Sequence, residues 1–439
     1  MAERAPVAAT LAELAEGVLG APLPVRLRAW DGSEAGPADA PVGVLRNRRA
    51  LRHLLWSPNE LGLARAYVSG DLDVQGDGLG GGVDKALSLF WSMNRDGAKP
   101  TLSVRDKLGL VRSAARLGVL GTRPPIPEAE ARLRGEEHSK ARDEAAISHH
   151  YDFSNAFYRM VLDPQMAYSC GYWTSDAPDY TVEDAQRDKL DLVCTKLGLE
   201  PGMRMLDVGC GWGSLAIHAA RHYGVHVTGI TLAREQREFI LGRLAELGIA
   251  DRVDIRLQDY RDLGSDPADE PFDAIGTLEM GEHVGRANYP VYAATLFRML
   301  KPGGRLLLQQ MSRGATAQGG GAFIETYIAP DMNMRPVGQT VDLLERAGLE
   351  VRDVQALREH YVWTVRAWWE TLEARWDDVV ALVGVEQARV WRLYFAGGAL
   401  AFEEGRMGVD QVLAVRPTPT GGSGMPRTRA ELLAKRVGT

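Results

Sequence analysis

Short apolar runs alternate with longer amphipathic segments through the middle of the chain. Apolar residues follow helical spacing over 214–224 and 233–248. The runs around them have the length and composition of buried strands, and they cover 203–209, 226–231, 253–258, 272–278 and 304–311. Strands that alternate with helices in this way are parallel and are joined by crossover helices. The pattern predicts a doubly wound α/β sheet, which binds ligands at the carboxyl ends of its strands.

The regularity of this pattern changes along the chain and divides it into parts. Glycine- and proline-rich stretches interrupt the short segments near the start, and the end is rich in Pro, Gly, Ser and Thr. Such compositions are typical of turns and linkers. We predict a smaller mixed α/β domain over 1–102, a helical linker over 103–145, the doubly wound domain over 146–415 and a flexible tail over 416–439.

Composition and charge exclude several classes of protein. Of the 439 residues, 45% are hydrophobic and 25% are charged, which is typical of a soluble globular chain. The net charge of −7 argues against nucleic acid as a partner. Cys170, Cys194 and Cys210 lack the spacing of a metal site, so we predict reduced thiols and no metal. We expect a cytoplasmic protein, because no membrane-spanning run or export signal is apparent.

A glycine-rich string, LDVGCGWG, lies where the first strand of the predicted sheet turns into a helix. Gly209, Gly211 and Gly213 follow a GxGxG spacing, which differs from the GxGxxG of dinucleotide-binding folds. The preceding acid, Asp207, suits a ligand with a cationic amino-acid end. The string resembles the first motif of class I S-adenosylmethionine-dependent methyltransferases. The alternative is a tight strand–helix turn without a ligand.

Polar residues after the next two strands are candidates for the rest of a cosubstrate site. The second strand ends without an acid for the ribose hydroxyls, which leaves Thr231 and Gln236 as candidates. After the third strand come Gln258, Asp259 and Tyr260. We expect Asp259 to accept from the adenine amino group and Tyr260 to cover the ring face. The alternative for Asp259 is a helix cap.

Several longer strings resemble the cyclopropane-fatty-acyl-phospholipid synthase and mycolic acid cyclopropane synthase family. Besides the glycine loop they cover 149–173, 257–263, 282–292 and, in the N-terminal part, 61–74. The chain looks closest to actinobacterial members that methylate unsaturated acyl chains of phospholipids. The resemblance implies a class I methyltransferase domain of Rossmann-like fold and S-adenosylmethionine as cosubstrate.

The resemblance also implies roles for individual residues. Tyr168 and Ser169 would contact the cosubstrate, and Cys170, Glu282 and Tyr361 would hold a bicarbonate ion that acts as the general base. The alternatives are a small buried side chain for Cys170 and a surface or capping residue for Glu282. Cyclopropane-forming relatives have a histidine where this chain has Gln309, and Gln cannot titrate near neutral pH.

Two further departures lie beside Glu282. Glu279 and Gly281 stand where relatives have Gly and a bulky Phe. Together with Gln309, which we keep as a candidate catalytic residue, they indicate a reshaped base site. We expect this reshaping to change how the reaction ends.

The chemistry implied by the resemblance begins with methyl transfer to an alkene. The product is a carbocation, which needs exclusion of water and nearby aromatic faces. Direct proton loss closes a cyclopropane, whereas a hydride shift before proton loss gives a methylene branch that a partner reductase could convert to a methyl branch. We predict the methylene product. A cyclopropane synthase, a methyltransferase for a small amine or hydroxyl and a non-catalytic membrane-surface protein are the alternatives.

Reaching an acyl chain requires a surface that docks on a membrane. Arginines stand beside apolar residues over 45–56 and 103–121, which suits anionic headgroups, although an ordinary solvated helix face is an equal alternative. We therefore expect peripheral association with the inner face of a membrane. We interpret 323–336 as a lid or acyl-chain wall, and a homodimer is left open.

Overall fold

The computed structural model describes residues 6–94, 112–130, 135–140, 142–143, 155–265, 269–316 and 321–434. The helices are α1 (Val7–Leu19), α2 (Arg49–Trp56), α3 (Glu60–Val68), α4 (Val83–Asn94), α5 (Asn155–Val161), α6 (Val182–Leu197), α7 (Ser214–Tyr223), α8 (Arg234–Leu247), α9 (Tyr289–Met299), α10 (Gly321–Tyr327), α11 (Val337–Arg346), α12 (Arg358–Ala374), α13 (Trp376–Val383), α14 (Val385–Glu403) and α15 (Arg429–Leu433). The strands are β1 (Arg26–Arg28), β2 (Glu34–Ala35), β3 (Val42–Leu45), β4 (Leu72–Gln75), β5 (Arg204–Val208), β6 (His226–Thr231), β7 (Val253–Leu257), β8 (Phe272–Leu278), β9 (Leu300–Arg313), β10 (Glu350–Ala356) and β11 (Met407–Val415).

The chain forms two compact units. Unit 1 contains Met1–Ala131, Gly321–Ile328 and Trp369–Leu400, and unit 2 contains the rest. Unit 1 therefore takes two segments from the predicted 146–415 domain, and it divides the predicted lid over 323–336.

Unit 1 is built on a small four-stranded sheet in the order β2-β1-β3-β4. Strands β1 and β3 are parallel, whereas the other two pairings are antiparallel. Within this unit the buried Arg65 guanidinium pairs with Glu130 at 2.5 Å. A buried ion pair of this kind fixes the positions of both side chains, because either charge would be costly to bury alone.

Unit 2 is built on a seven-stranded sheet in the order β10-β11-β9-β8-β5-β6-β7. Each of the five predicted strands is present, and the doubly wound fold is confirmed. Strand β11 is antiparallel to both of its neighbours. We did not predict β10 or β11, whose antiparallel pairing departs from the parallel arrangement of the other strands.

Side chains of β5 alternate between the two faces of this sheet. Met205 joins a core cluster with residues of α6, α7 and α8, whereas Leu206 and Val208 join a cluster with residues of α9 and α11. The chain order reverses between β5 and β8, because β6 lies on one side of β5 and β8 on the other. The carboxyl end of β5 is therefore the place where a doubly wound sheet opens a crevice.

Helix α6 begins and ends with strong signals. Thr181 and Asp184 form a capping box at its start, and Gly198 adopts a left-handed conformation with φ 67° at its end. Near the chain end, helix α15 lies in the predicted tail, and Arg429 pairs with Asp353 at 3.1 Å. That part of the tail is held against the edge strand β10.

Other predictions concern membrane-spanning helices, metal ligands, the cysteines and two segments that the structure describes only in part. Within the described part of the chain no helix is long and apolar enough to cross a bilayer, and no cluster of metal-ligating side chains occurs there. All three cysteines are buried and reduced. Residues 149–154 of the family resemblance and 103–111 of the second basic segment lie outside the described residues.

Candidate active site

The glycine loop follows β5 at the crevice. Gly209 and Gly211 have φ values of 76° and 52°, a region that side chains other than glycine rarely adopt. A Cβ at Gly209 would lie 2.8 Å from the Met280 side chain. Gly213 is the N-cap of α7. The loop backbone is therefore exposed to two neighbouring cavities, both of which Gly209 and Gly211 line.

Asp207 lies beneath the first cavity. Its side chain is buried, and its Oδ2 has no hydrogen-bond partner among the residues that the structure describes. Burial raises the pKa of Asp207 to about 7, although the charge of Lys189 opposes the shift. A buried acceptor without a partner is costly unless a ligand or water completes it. A cationic ligand group would do so.

The second cavity brings together the candidates after β6 and β7. Thr231 donates to the Gln236 side-chain oxygen at 2.7 Å. The Gln236 Nε2 is buried and has no partner within the described ranges, so its N–H groups are available to a ligand. Gln258 and Tyr260 line the same cavity.

Asp259 lines this cavity too, but its carboxylate is already engaged. It accepts from the Arg261 backbone N–H at 2.8 Å and from the Arg261 guanidinium at 2.6 and 2.8 Å. Asp259 is also the N-cap of the short 3-10 helix that follows β7. The alternative interpretation of Asp259 as a cap is the one that the geometry supports, and its contact with adenine stays a prediction.

Ser169 and Tyr168 line the first cavity on the side of α6. The Lys189 ammonium donates to Ser169 Oγ at 2.8 Å. Lys189 is buried on the face of α6 that also carries Gln186, and burial lowers the pKa of this lysine. We did not predict Lys189 as a site residue. The signal available in the sequence was the helical spacing of Gln186 and Lys189 beside the apolar Leu190.

Aromatic rings surround this end of the first cavity. The Tyr168 ring lies 5.3 Å from that of Trp368 and 6.5 Å from that of Trp212, and the Tyr158 ring packs at a tilt against that of Trp212, 4.3 Å away. Trp212 itself lines the cavity and is fixed by a hydrogen bond to Asn155. These contacts fix an aromatic wall beside the glycine loop.

Three of the four predicted catalytic residues meet at a carboxylate that we did not assign to the site. Glu279 accepts from the Cys170 backbone N–H at 2.7 Å, from Gln309 Nε2 at 2.9 Å and from the Tyr361 hydroxyl at 2.5 Å. Sequence analysis noted Glu279 only as a departure from the family pattern. Its φ of 52° is strained for a residue other than glycine.

Cys170 contributes its backbone rather than its thiol. The thiol is fully buried and donates to the Leu357 carbonyl at 3.6 Å. Burial raises the pKa of Cys170 well above its usual value, so the thiol stays protonated. The Cys170 thiol therefore fits the alternative interpretation, that of a small buried side chain. The backbone N–H of Cys170 is the group that donates to Glu279.

Glu282, the fourth predicted catalytic residue, lies one turn farther along the chain. It is fully buried, and neither carboxylate oxygen has a hydrogen-bond partner in the described part of the chain. Burial and then the charge of Glu279 raise the pKa of Glu282 well above its usual value. Glu282 is therefore the neutral member of this pair of acids. At Gly281 a Cβ would collide with the Gln310 side chain, which fills the space expected for the family's Phe.

Comparison with known proteins gives the family. A sequence profile described as mycolic acid cyclopropane synthetase matches residues 138–412. A probable fatty acid methyltransferase of Mycobacterium tuberculosis is 40% identical over 410 residues, which cover 92% of this chain and 93% of that protein. The tuberculostearic acid methyltransferase of the same species is 30% identical over 440 residues, covering 95% and 94%.

The chain belongs to the cyclopropane synthase family.

A solved structure agrees with this assignment. The crystal structure of a mycolic acid cyclopropane synthase complexed with SAH and CTAB matches with a TM-score of 0.58 and 31% identity, over 62% of this chain and 97% of that one. The protein is therefore an S-adenosylmethionine-dependent methyltransferase of class I fold, and its family methylates or cyclopropanates unsaturated fatty acids.

The residues present fit S-adenosylmethionine. Asp207 offers a carboxylate oxygen that lacks a partner in the described chain to a cationic amino-acid end, and Gln236 offers N–H donors to hydroxyl groups. The two cavities meet at Gly209 and Gly211, where the absence of side chains leaves room for a ligand that spans both. The roles predicted for the individual site residues stay predictions.

Proposed function

We propose that this protein transfers a methyl group to the double bond of an unsaturated fatty acyl chain in a phospholipid, through a carbocation, and gives a methylene-branched chain. S-adenosylmethionine supplies the methyl group as a cationic sulfonium donor. The observation that carries the proposal is the aromatic wall: Tyr168 and Trp212 line the first cavity together with Asp207 and Glu279, and Trp368 packs against Tyr168.

The aromatic wall suits an alkene better than an amine or a hydroxyl. An alkene has no proton to lose before methyl transfer, so the site must align it, exclude water and stabilise a developing cation. Each aromatic face contributes on the order of 0.5–2 kcal/mol toward a cation. Methylation of an amine or a hydroxyl forms no carbocation on the substrate, so it does not require such a wall.

The names of the full-length relatives favour a branched product. One is named for fatty acid methylation and another for tuberculostearic acid, and each aligns over more than nine-tenths of this chain. The cyclopropane-fatty-acyl-phospholipid synthase of Escherichia coli aligns over 64% of it. Cyclopropane formation stays the second candidate, because it shares the first step.

Lipid analysis tests the proposal. Purified protein is incubated with methyl-deuterated cosubstrate and vesicles of unsaturated phospholipid, and the acyl chains are identified by gas chromatography and mass spectrometry. A methylene branch that retains two deuterium atoms supports the proposal. A cyclopropane alone selects the second candidate, label in a soluble amine panel selects a small-molecule methyltransferase, and no label in lipid or amines selects a non-catalytic role.

We also propose that unit 1 docks on an anionic phospholipid surface. Leu55 and Trp56, at the end of α2, have 48% and 55% of their surface exposed, and Leu120 has 50%. The Trp56 ring N–H donates to the Gly121 carbonyl at 3.3 Å, which brings the end of α2 next to the segment that carries Leu120. We call Leu55, Trp56 and Leu120 the α2 patch. Exposed apolar groups with arginines beside them are typical of peripheral membrane attachment.

The charge near the α2 patch is smaller than the arginine count indicates. Arg46 pairs with Asp73, and Arg49 pairs with Asp71 at 2.9 Å. Exposed Arg112 and Arg116 remain as contacts for headgroups. Arg105 and Leu108, which the sequence also places here, lie outside the described residues.

Vesicle binding tests the docking surface. Changing Leu55 and Trp56 to Ser removes most of the exposed apolar area, and we expect at least a tenfold weaker binding to anionic vesicles in co-sedimentation. Leu241→Ser, which changes an exposed leucine of unit 2, is the matched control. Equal binding by the double variant and the wild type would refute the docking surface.

A further inference from the structure

Glu279 is held by hydrogen-bond donors in a manner that leaves one oxygen reactive. Two donors, Cys170 N–H and Gln309 Nε2, converge on Oε1, whereas Oε2 accepts from a single donor among the described residues, the Tyr361 hydroxyl. An ionised carboxylate has about four acceptor positions. One position on Oε2 is therefore still open. Glu279 lines both cavities of the site and is only half-buried, so this position is within reach of a bound substrate.

A chain of buried amides orients the Gln309 donor. Gln309 Oε1 accepts from Gln411 Nε2 at 3.0 Å, and Gln411 Oε1 accepts from the Lys196 ammonium at 2.9 Å. Lys196 can only donate, so each amide in turn is fixed in one orientation. Gln309 Nε2 therefore donates to Glu279 at 2.9 Å and to the Cys170 carbonyl at 3.3 Å, and the amide cannot turn over without losing these bonds.

The neighbouring acid supports a charged Glu279. Burial raises the pKa values of both Glu279 and Glu282, and two acids so close do not both ionise readily. The three donors and the charge of Lys189 favour the ionised form of Glu279. Among the described residues no side chain donates to Glu282, and its burial favours the protonated form. The pair thus keeps one charge, and that charge resides on Glu279.

We propose that Glu279 is the general base of the reaction, built into the chain where the resemblance implies an external bicarbonate. The inference rests on the proposed function. The resemblance assigns Cys170 and Tyr361 to bicarbonate, but in this protein both donate to the Glu279 carboxylate. A second anion would have neither these donors nor their space.

The substrate undergoes three steps: methyl transfer, a hydride shift and loss of a proton. The π electrons of the alkene form the new carbon–carbon bond to the methyl group, whose bond to the donor sulfur breaks and leaves its electron pair on sulfur. A cation remains on the other alkene carbon. A hydride shifts from the methylated carbon to that cationic carbon and moves the positive charge to the methylated carbon. Glu279 Oε2 then takes a proton from the new methyl, and the C–H electron pair becomes the exocyclic double bond. The neutral acid returns its proton to water after the product leaves.

The isosteric variant Glu279→Gln tests the base. We expect turnover on unsaturated phospholipid to fall roughly 10²- to 10⁴-fold, the usual contribution of a general base. Binding of S-adenosylhomocysteine, measured by calorimetry, should stay within about threefold of the wild type. Glu238→Gln, an exposed glutamate of α8, is the matched control with unchanged turnover. A Glu279→Gln variant with wild-type turnover would overturn the proposal.

Glu279→Gly gives a second, independent readout. Glycine tolerates the φ of 52° without strain and vacates the space among the three donors. We expect millimolar bicarbonate or formate to restore its turnover at least tenfold, and ¹³C-bicarbonate to bind this variant in NMR titrations but not the wild type. Absence of both rescue and binding would overturn the proposal.

The unmodified protein supplies the last test. Wild-type turnover should be the same in bicarbonate-free buffer and in buffer with bicarbonate, and a fall on removal of bicarbonate would overturn the proposal. These outcomes are distinct from failure of the proposed function. If the wild type modifies no unsaturated lipid, the function itself fails; if it forms either lipid product, the role of Glu279 is tested directly, because both products require loss of a proton.

Discussion

The two sides of the active site differ in how far the chain itself satisfies their polar groups. On the donor side, at the carboxyl ends of β5 to β7, Asp207 Oδ2, Gln236 Nε2 and the Tyr260 hydroxyl are buried and have no hydrogen-bond partner among the described residues. On the acceptor side, at the ends of β8 and β9, Glu279 already has three donors.

This difference indicates two ways of preparing a site. Each buried polar group without a hydrogen-bond partner costs about 1–3 kcal/mol of stability. A ligand that forms the missing hydrogen bond removes this cost and binds more tightly for that reason. The donor side is therefore built to bind. The acceptor side is organised in advance, so that a fixed negative charge faces a positive charge that develops only during the reaction. Glu282 is the exception, and its raised pKa keeps it neutral.

The largest expected effect on binding comes from substitution at Asp207, and it separates the two sides. Asp207→Asn removes the carboxylate that faces the cationic ligand group, and we expect binding of S-adenosylhomocysteine to weaken roughly 10- to 100-fold. Glu279→Gln should leave the same affinity unchanged. Calorimetric titration of both variants measures the difference. Equal losses in the two variants would remove the distinction between the sides.

A tenfold effect is expected from pH. Protonated Asp207 cannot pair with a cation, and its pKa is about 7. Wild-type affinity for S-adenosylmethionine should therefore rise about tenfold between pH 6 and 8, with proton release on binding. Asp207→Asn should show a flat profile. Titrations in two buffers of different ionisation enthalpy count the protons, and a flat wild-type profile would contradict this assignment.

The stability of the ligand-free protein should change in the opposite direction. The pKa of Asp207 is raised from 3.8 in the unfolded chain to about 7 in the folded one, so protonation stabilises the fold. The stabilisation by protonated Asp207 is complete below the unfolded pKa of 3.8 and is lost as the pH rises from there through about 7. Thermal unfolding should show Asp207→Asn gaining on the wild type over this window. A constant difference would be evidence against a raised pKa.

A smaller effect is expected on the acceptor side, from the chain of amides that orients Gln309. Gln411→Leu removes the donor that orients Gln309, and we expect kcat to fall about three- to tenfold with KM and S-adenosylhomocysteine affinity unchanged. Gln355→Leu is the matched control, because Gln355 also accepts from Lys196, at 2.7 Å, but lies outside the chain of amides that leads from Lys196 through Gln411 to Gln309. Both variants should lose about 1–3 kcal/mol in the free energy of unfolding. Equal kcat values for the two variants would show that the amide chain only stabilises the fold.

Several features of the fold were readable from local pattern. Strands β6 and β8 match their predicted ranges residue for residue, and the turn at Gly209 to Gly213 lies where the glycines predicted it. Strands β10 and β11 were missed, because pairing of distant antiparallel strands leaves little local signal. Asp259 lines the second cavity, but its engagement with Arg261 was decided by rotamers and packing.

What the sequence by itself determined is the order of strands and helices, the buried faces and the glycine loop with its preceding acid, because these depend on periodicity and on short-range steric rules. Only the tertiary structure decided that Cys170, Gln309 and Tyr361 converge on Glu279. These residues come from separate segments, so their meeting depends on how β8, β9 and α12 pack. Sequence marked Glu279 as unusual, but its chemistry follows from the donors that the fold brings around it.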